Sequence, residues 1–226
     1  MNWSWLLPET ASTFGPELDR MYYVILVITG VVFVITEVLL VYFLWRYRHR
    51  EGRRADPVHG NVKAEIVWTA VPFLIVLGIA LASRSSWDRI KNPSSTPQDA
   101  WEVRVVASQF EWNATYPGAD GALETADDFV VRNRLFVPVD RPVKVLLSSE
   151  DVIHSFFLPE MRVKQDVVPG MEISVWFQPT ETGDFTIGCA ELCGLGHTRM
   201  MGTLTVQSAA EHQGWLAEQV AAAEQP

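Results

Sequence analysis

Gly188-Cys189-Ala190-Glu191-Leu192-Cys193-Gly194-Leu195-Gly196-His197-Thr198-Arg199-Met200 holds both cysteines of the 226-residue chain, one of its five histidines and a thioether. Cys189, Cys193, His197 and Met200 fall at i, i+4, i+8 and i+11, a spacing that a helix would gather on one face. Gly188, Gly194 and Gly196 oppose a helix, each weakening one by roughly 1 kcal/mol relative to Ala. The expectation is a glycine-rich loop that curls around something small. Thiolate, imidazole and thioether are soft and borderline donors that suit copper. For two copper ions the set is one ligand short, and His154 in Glu150-Asp151-Val152-Ile153-His154-Ser155-Phe156 is the candidate to complete it. Two other readings stay open on the residues alone. A Cys189–Cys193 disulfide suits an oxidising compartment but leaves His197 and Met200 unexplained. A single blue-copper centre needs only one of the two cysteines.

Outward from this loop the chain reads as short strands. Trp101-Glu102-Val103-Arg104-Val105 alternates apolar and polar residues, as a half-buried strand does. Further runs rich in β-branched and aromatic residues cover 130–137, 143–147, 173–177, 185–187 and 203–206. Pro117-Gly118, Asp140-Arg141-Pro142, Pro169-Gly170 and Thr182-Gly183-Asp184 punctuate them as turns. Many short strands at this spacing predict an all-β sandwich or barrel. Such a frame holds a metal loop rigidly, with Phe156, Phe157 and Leu195 expected as the hydrophobic neighbours that control solvent access. Residues 211–224 are rich in Ala and Gln and read as a closing surface helix, with His212 on its exposed face. His49 and His59 read as loop residues.

The first half differs in kind. Through residue 94 the chain carries 10 Lys and Arg against 8 Asp and Glu; from residue 95 it carries 8 against 19. The acidic second half excludes nucleic acid as a partner and favours basic ones. Residues 21–45 form an apolar run whose only charge is Glu37, about 37 Å long as a helix and so able to cross a ~30 Å hydrocarbon core. Glu37 is expected to face protein or water, in a structural or a proton-relay role. A second run, residues 66–83, is just long enough to span, and Pro72 bends it. Between them Arg46, Arg48, Arg50, Arg53, Arg54 and Lys63 outweigh Glu51 and Asp56, which places this loop in the cytoplasm and both termini outside. Residues 1–20 lack the basic n-region and apolar core of a signal peptide, so no cleavage is expected; Trp3 and Trp5 suit a membrane interface. The predicted order is an outer N-terminal segment (1–20), a transmembrane hairpin (21–94, helices at about 21–45 and 66–83) and an extracytoplasmic domain (95–226). A linker is expected over residues 84–98.

Cys189-x3-Cys193-x3-His197-x2-Met200, with His154 upstream in an Asp-Val-x-His-Ser-Phe setting, resembles the dinuclear copper (CuA) site of cytochrome c oxidase subunit II. His59-Gly60-Asn61 followed by Glu65-x-x-Trp68-Thr69-x-x-Pro72 resembles the opening of that family's second helix, and Gln109-Phe110-Glu111-Trp112 its aromatic cluster, where Phe110 stands in place of the usual Trp. Lys164-x-Asp166-x-x-Pro169-Gly170 matches too, with Met171 where the family has a basic residue. The resemblance implies an N-terminal transmembrane α-helical hairpin plus an all-β cupredoxin-like Greek-key sandwich. By the same resemblance, Cys189 and Cys193 bridge two copper ions that share one electron. His154 and His197 are the terminal ligands, and Met200 and the Glu191 carbonyl the weak outer ones. The Glu191 side chain reaches a magnesium ion shared with subunit I. Phe110 and Trp112 receive electrons, and Glu111, Glu150 and Asp151 dock the donor. Glu65 takes up protons.

The implied partners are the haem-containing subunit I, subunit III and a donor such as cytochrome c. Haem is confined to the partner subunit, since the chain has no Cys-x-x-Cys-His motif. The implied location is a bacterial-type inner (plasma) membrane with the copper domain on the periplasmic side. A rival reading is a membrane-anchored copper chaperone or thiol-redox protein of the thioredoxin type, which would show βαβ patterning.

Overall fold

A computed structural model describes residues 6–54, 57 and 59–223. Trp3, Trp5, Asp56 and Glu224 lie outside the described residues. The chain divides into two units: a helical one, Asp19–Ser86, and one that joins the chain before Asp19 to the chain from Trp87 onward.

The helical unit is built on α1 (Gly15–Arg46) and α2 (Val62–Lys91). These helices have 32 and 30 residues, and at about 1.5 Å per residue either is longer than a ~30 Å hydrocarbon core. Their most apolar stretches are wholly unburied within the chain. In water such a surface would drive association, whereas in lipid it is the favoured state. Asn61 caps α2: its side-chain oxygen accepts the Ala64 N–H at 3.2 Å, which satisfies one of the free donors of the first turn. Glu65 lies in that turn, and Pro72 lies inside the helix. The stretch expected as a linker from Arg84 is helical through Lys91, because no breaker occurs before Asn92-Pro93.

The other unit is a sandwich of two five-stranded sheets. One has the order β3-β2-β1-β5-β8, and the other β4-β10-β9-β6-β7. The first contains β1 (Trp101–Ser108), β2 (Glu111–Tyr116), β3 (Phe129–Arg132), β5 (Val143–Ser149) and β8 (Ile173–Phe177). The second contains β4 (Arg134–Pro138), β6 (His154–Leu158), β7 (Val163–Val167), β9 (Gly183–Cys189) and β10 (Met201–Gln207). Both sheets are mixed, since β1 runs parallel to β5 and β4 parallel to β10. This is the cupredoxin-like sandwich behind two apolar helices. Alternation sets the core: Val103, Val105 and Ala107 of β1 and Trp112, Ala114 and Tyr116 of β2 point inward, as period two requires.

The run 130–137, which reads as one strand, is two. Asn133 takes a left-handed φ of 56°, a conformation that Asn tolerates better than most residues. Its side-chain oxygen accepts the Trp112 N–H at 2.9 Å. The chain turns there and passes from the first sheet to the second. Three strands absent from the sequence reading, β2, β6 and β7, lack a dense β-branched run; β6 opens on two polar residues and β7 carries three in a row.

The N-terminal segment belongs to this unit. Ala11 and Phe14 are buried in its core. The Ala11 N–H donates to the Glu160 carbonyl at 2.9 Å and the Thr180 N–H to the Ala11 carbonyl at 2.9 Å. Phe14 packs edge-on against Trp176, 4.6 Å between centroids, and Glu17 pairs with Arg89.

α3 (Ala209–Ala223) closes the sandwich. Ser208 and Glu211 form a reciprocal cap: Glu211 N–H donates to Ser208 Oγ at 3.3 Å and Ser208 N–H to Glu211 Oε2 at 3.0 Å, which satisfies two free donors of the helix start. Trp215 then reaches Phe136 and Tyr116, with centroids 4.3 and 5.0 Å away. His212 is not on the helix surface as expected. It is 3% exposed, packed edge-on to Trp101 at 4.8 Å and stacked on Trp215 at 5.8 Å. The aromatic residues around it make this the buried face of α3. Burial, with Arg141 second, pushes the imidazole down to about 4.

An unfolded His titrates near 6.5. Below that pH the unfolded chain binds a proton that the folded one refuses. Stability is therefore fully present above about 6.5 and is lost as pH falls toward about 4, by at most about 1.4 kcal/mol per pH unit. Unfolding of the detergent-solubilised chain at pH 7 and pH 5 is expected to show this loss. His212→Phe should remove it, and an unchanged slope in that variant would refute the assignment.

Candidate metal centre

Four parts of the sandwich meet at the site. His154 opens β6, and Cys189 ends β9 opposite Phe156. Cys193 lies in the loop that follows, His197 opens a short 3-10 turn (His197–Arg199), and Met200 immediately precedes β10. The loop curls through its own backbone. His197 N–H donates to the Gly194 carbonyl at 3.1 Å, and Arg199 N–H to the Gly196 carbonyl at 2.8 Å.

The donor atoms converge. The two thiol sulphurs are 3.8 Å apart, and the cysteines are free. Cys189 Sγ lies 4.0 Å from His154 Nδ1 and 3.2 Å from the Glu191 carbonyl oxygen. Cys193 Sγ lies 3.5 Å from His197 Nδ1 and 3.7 Å from Met200 Sδ. An ion bonded at about 2.3 Å to both sulphurs fits between them. Each sulphur has one imidazole beside it and one weaker donor behind, so the set divides into two halves, one ending in a carbonyl oxygen and the other in a thioether. Thiolate, imidazole and thioether together suit copper.

His154 and Met200 are 0% exposed and Cys193 is 3% exposed, so most of the site is shielded from water. Burial, reinforced by the neighbouring Cys189 thiol, pushes the Cys193 thiol up to about 11. Without metal it is protonated at neutral pH, and metal loading must displace that proton.

The walls are aromatic. Trp112 is 2% exposed and packs edge-on to His154 at 6.2 Å and to Phe156 at 5.4 Å. Phe110, half-buried in the β1–β2 turn, lies across Gly194 and Gly196. A Cβ on Gly196 would come within 2.3 Å of the Phe110 ring, so that glycine is required for the ring to sit on the loop. Phe156 is buried as expected. Leu195, expected as a shield, instead points to solvent at 105% exposure, because it stands at the loop tip between the two glycines under Phe110.

The acids are placed unequally. Glu150 is exposed. Glu111 pairs with Arg132 and accepts the Asn113 side-chain amide at 3.0 Å. Asp151 is also exposed, but its Oδ1 lies 2.8 Å from His154 Nε2. Burial raises the Asp151 carboxyl, but hydrogen bonds from His154 and from the Val152 and Gln109 N–H groups outweigh it and hold it below the usual carboxylate range. The Glu191 side chain is exposed at the loop edge, and Glu65 is exposed in the first turn of α2. His49 and His59 are exposed outside regular structure.

Two supports escaped the sequence reading. Gln109 donates its side-chain amide to the Cys193 carbonyl at 2.5 Å. Buried Ser155 donates to Asp166 at 2.7 Å while its own carbonyl accepts the Ala190 N–H at 3.0 Å. Gln109 stands in the aromatic motif, which was its only available signal.

Comparison with known proteins points to one family. The family described as cytochrome C oxidase subunit II, periplasmic domain, matches residues 108–208, and the corresponding transmembrane-domain family matches residues 1–85. Alternative cytochrome c oxidase subunit 2 of Bradyrhizobium diazoefficiens is 34% identical over 238 residues, covering 95% of this chain and 84% of that protein. Cytochrome c oxidase subunit 2 of Thermostichus vulcanus is 30% identical, covering 98% and 80%. Among solved structures, the periplasmic domain of subunit II of cytochrome oxidase (CoxB) of Bradyrhizobium japonicum is 29% identical, with a TM-score of 0.48 over 54% of this chain and 95% of that one.

Proposed function

The chain belongs to the cytochrome c oxidase subunit II family, and on that premise we propose that it is the subunit through which electrons reach a haem–copper oxidase. The convergence of two thiols, two imidazole Nδ1 atoms, a thioether and a carbonyl from one loop and two strand ends carries this reading. Cys189 and Cys193 are assigned as bridges for two copper ions, His154 and His197 as terminal ligands, and Met200 and the Glu191 carbonyl as outer ones. The bound pair supplies one-electron redox chemistry.

The chain's own part is to keep those donors fixed. Strand ends β6 and β9 are locked by their ladder, and Gln109 ties the loop at the Cys193 carbonyl. A rigid donor set changes little between redox states, which favours rapid transfer. Trp112 and Phe156 exclude water from the His154 side. Electron input is assigned to Phe110, the aromatic residue that is both partly exposed and seated on the ligand loop. Trp112 serves as the inner wall behind it. Glu150, with the acidic domain as a whole, steers a basic donor such as cytochrome c. Electrons then pass to haem in subunit I, where oxygen is reduced with proton pumping. The exposed Glu191 carboxylate is assigned to a magnesium ion at the boundary with subunit I, and subunit III completes the set of partners.

The membrane arrangement follows from charge and connectivity. The basic loop between α1 and α2 favours the cytoplasm. The N-terminal segment and the sandwich form one unit, which favours both on the periplasmic side. Glu65, at the cytoplasmic start of α2, is assigned to proton uptake. The rival thioredoxin-type chaperone finds no support, because no helix connects parallel strands among the described residues of the sandwich.

Rapid mixing of the assembled oxidase with reduced donor tests this function. Donor oxidation should precede haem reduction in the partner subunit. Glu65→Ala should leave that first phase and the copper content unchanged while steady-state turnover slows. Turnover at the wild-type level would reduce Glu65 to a favourable acid at a helix start, worth about 0.3–1 kcal/mol.

A further inference from the structure

Asp151 lies three residues before His154 and has the composition of a docking charge, yet its carboxylate already accepts three hydrogen bonds while its side chain stays 30% exposed. Oδ1 meets His154 Nε2 at 2.8 Å and accepts the Val152 N–H at 2.6 Å. Oδ2 accepts the Gln109 N–H at 2.7 Å. The same Gln109 donates its side chain to the Cys193 carbonyl. The 109–110 turn therefore ties the His154 side of the site to the Cys193 loop, with Asp151 as the joint.

We infer that Asp151 is a positioning residue for the metal centre: it fixes the hydrogen of His154 on Nε2, leaves the Nδ1 lone pair for the metal, and lowers the centre's reduction potential. The inference rests on the copper reading given above.

A neutral imidazole has one N–H, and a carboxylate only accepts. The 2.8 Å contact therefore requires the hydrogen on Nε2 and frees Nδ1, which faces the Cys189 sulphur. A carboxylate behind a ligating imidazole raises the basicity of the ligand. Greater ligand basicity and a fixed negative charge both favour the more positive, oxidised state. His154 is 0% exposed and the Asp151 side chain 30% exposed, so solvent screens the pair from the carboxylate side only. His197 makes no such pair among the described residues, which leaves the two ends of the centre electrostatically unequal.

Asp151→Ala and Asp151→Asn in the assembled oxidase test this by copper content, redox titration and electron paramagnetic resonance. Asp151→Ala should move the reduction equilibrium toward the reduced form by about tenfold, 59 mV for a one-electron couple, and alter the copper hyperfine pattern. Asp151→Asn keeps an acceptor and loses the charge, so it should shift the potential in the same direction by less. Glu150→Gln should weaken donor affinity and leave the potential alone.

Wild-type potential and spectrum in Asp151→Ala, with only the donor KM raised, would overturn the inference in favour of docking. If Asp151→Ala loses its copper, Asp151→Asn decides: copper retained with a raised potential supports the inference, while a wild-type potential or a second loss of copper overturns it. A wild-type protein without two copper ions per chain would instead refute the underlying copper reading.

Discussion

Cys193→Ser is expected to abolish electron transfer through this subunit. Cys193 Sγ lies within 3.8 Å of Cys189 Sγ, His197 Nδ1 and Met200 Sδ, so three of the other donors sit around it. A serine hydroxyl stays protonated at neutral pH and does not bridge soft metal ions as a thiolate does. Supporting residues around metal ligands already cost 10–100-fold on substitution, so losing a bridging ligand should cost at least about a hundredfold in donor oxidation. Copper per chain should fall below two, and the spectrum of a shared electron should vanish. Cys189→Ser should behave alike. The protein should remain folded, because the site lies at strand ends and not in the centre of the sandwich. Donor oxidation at the wild-type rate in Cys193→Ser would contradict the assignment.

Trp112→Ala should have the largest effect on the fold. The indole is 2% exposed, at the core of β2 and against both Phe156 and His154. Truncating a buried Trp costs about 3–5 kcal/mol, a large share of the roughly 5–15 kcal/mol that holds a domain together. The cavity opens beside His154, so copper retention should fall with stability. Trp112→Phe separates the two contributions. It keeps a ring against His154 and removes the indole N–H, which is buried without a partner and therefore destabilising in place. The Phe variant should lose much less stability than Ala and keep its copper. Thermal unfolding and metal analysis of both variants check this; equal losses in Ala and Phe would show that ring packing on His154 is not what matters.

The ligand loop was legible because its chemistry is local. Soft donors with three glycines over thirteen residues specify a curled loop of converging donors before any tertiary contact is known. The transmembrane runs and β1 were legible for a similar reason, since period and hydrophobicity lie within each segment. What escaped depends on distant partners. Asn133 splits a strand because its side chain answers Trp112, 21 residues away. Gln109 holds the Cys193 carbonyl across 84 positions. His212 is buried by Trp101 of the sandwich, 111 positions away, together with Trp215 one turn on in α3. For Asp151, sequence shows the charge and hides the three hydrogen bonds its carboxylate accepts. Leu195 is hydrophobic yet faces outward, because loop geometry rather than residue type sets its direction.

The central claim is that this loop holds two coupled copper ions. Copper analysis combined with electron paramagnetic resonance of the native assembled oxidase tests it most directly. Two copper ions per chain are expected, with the hyperfine pattern of one unpaired electron spread over both nuclei. A single copper with a one-nucleus pattern, or a Cys189–Cys193 disulfide and no copper, would contradict it.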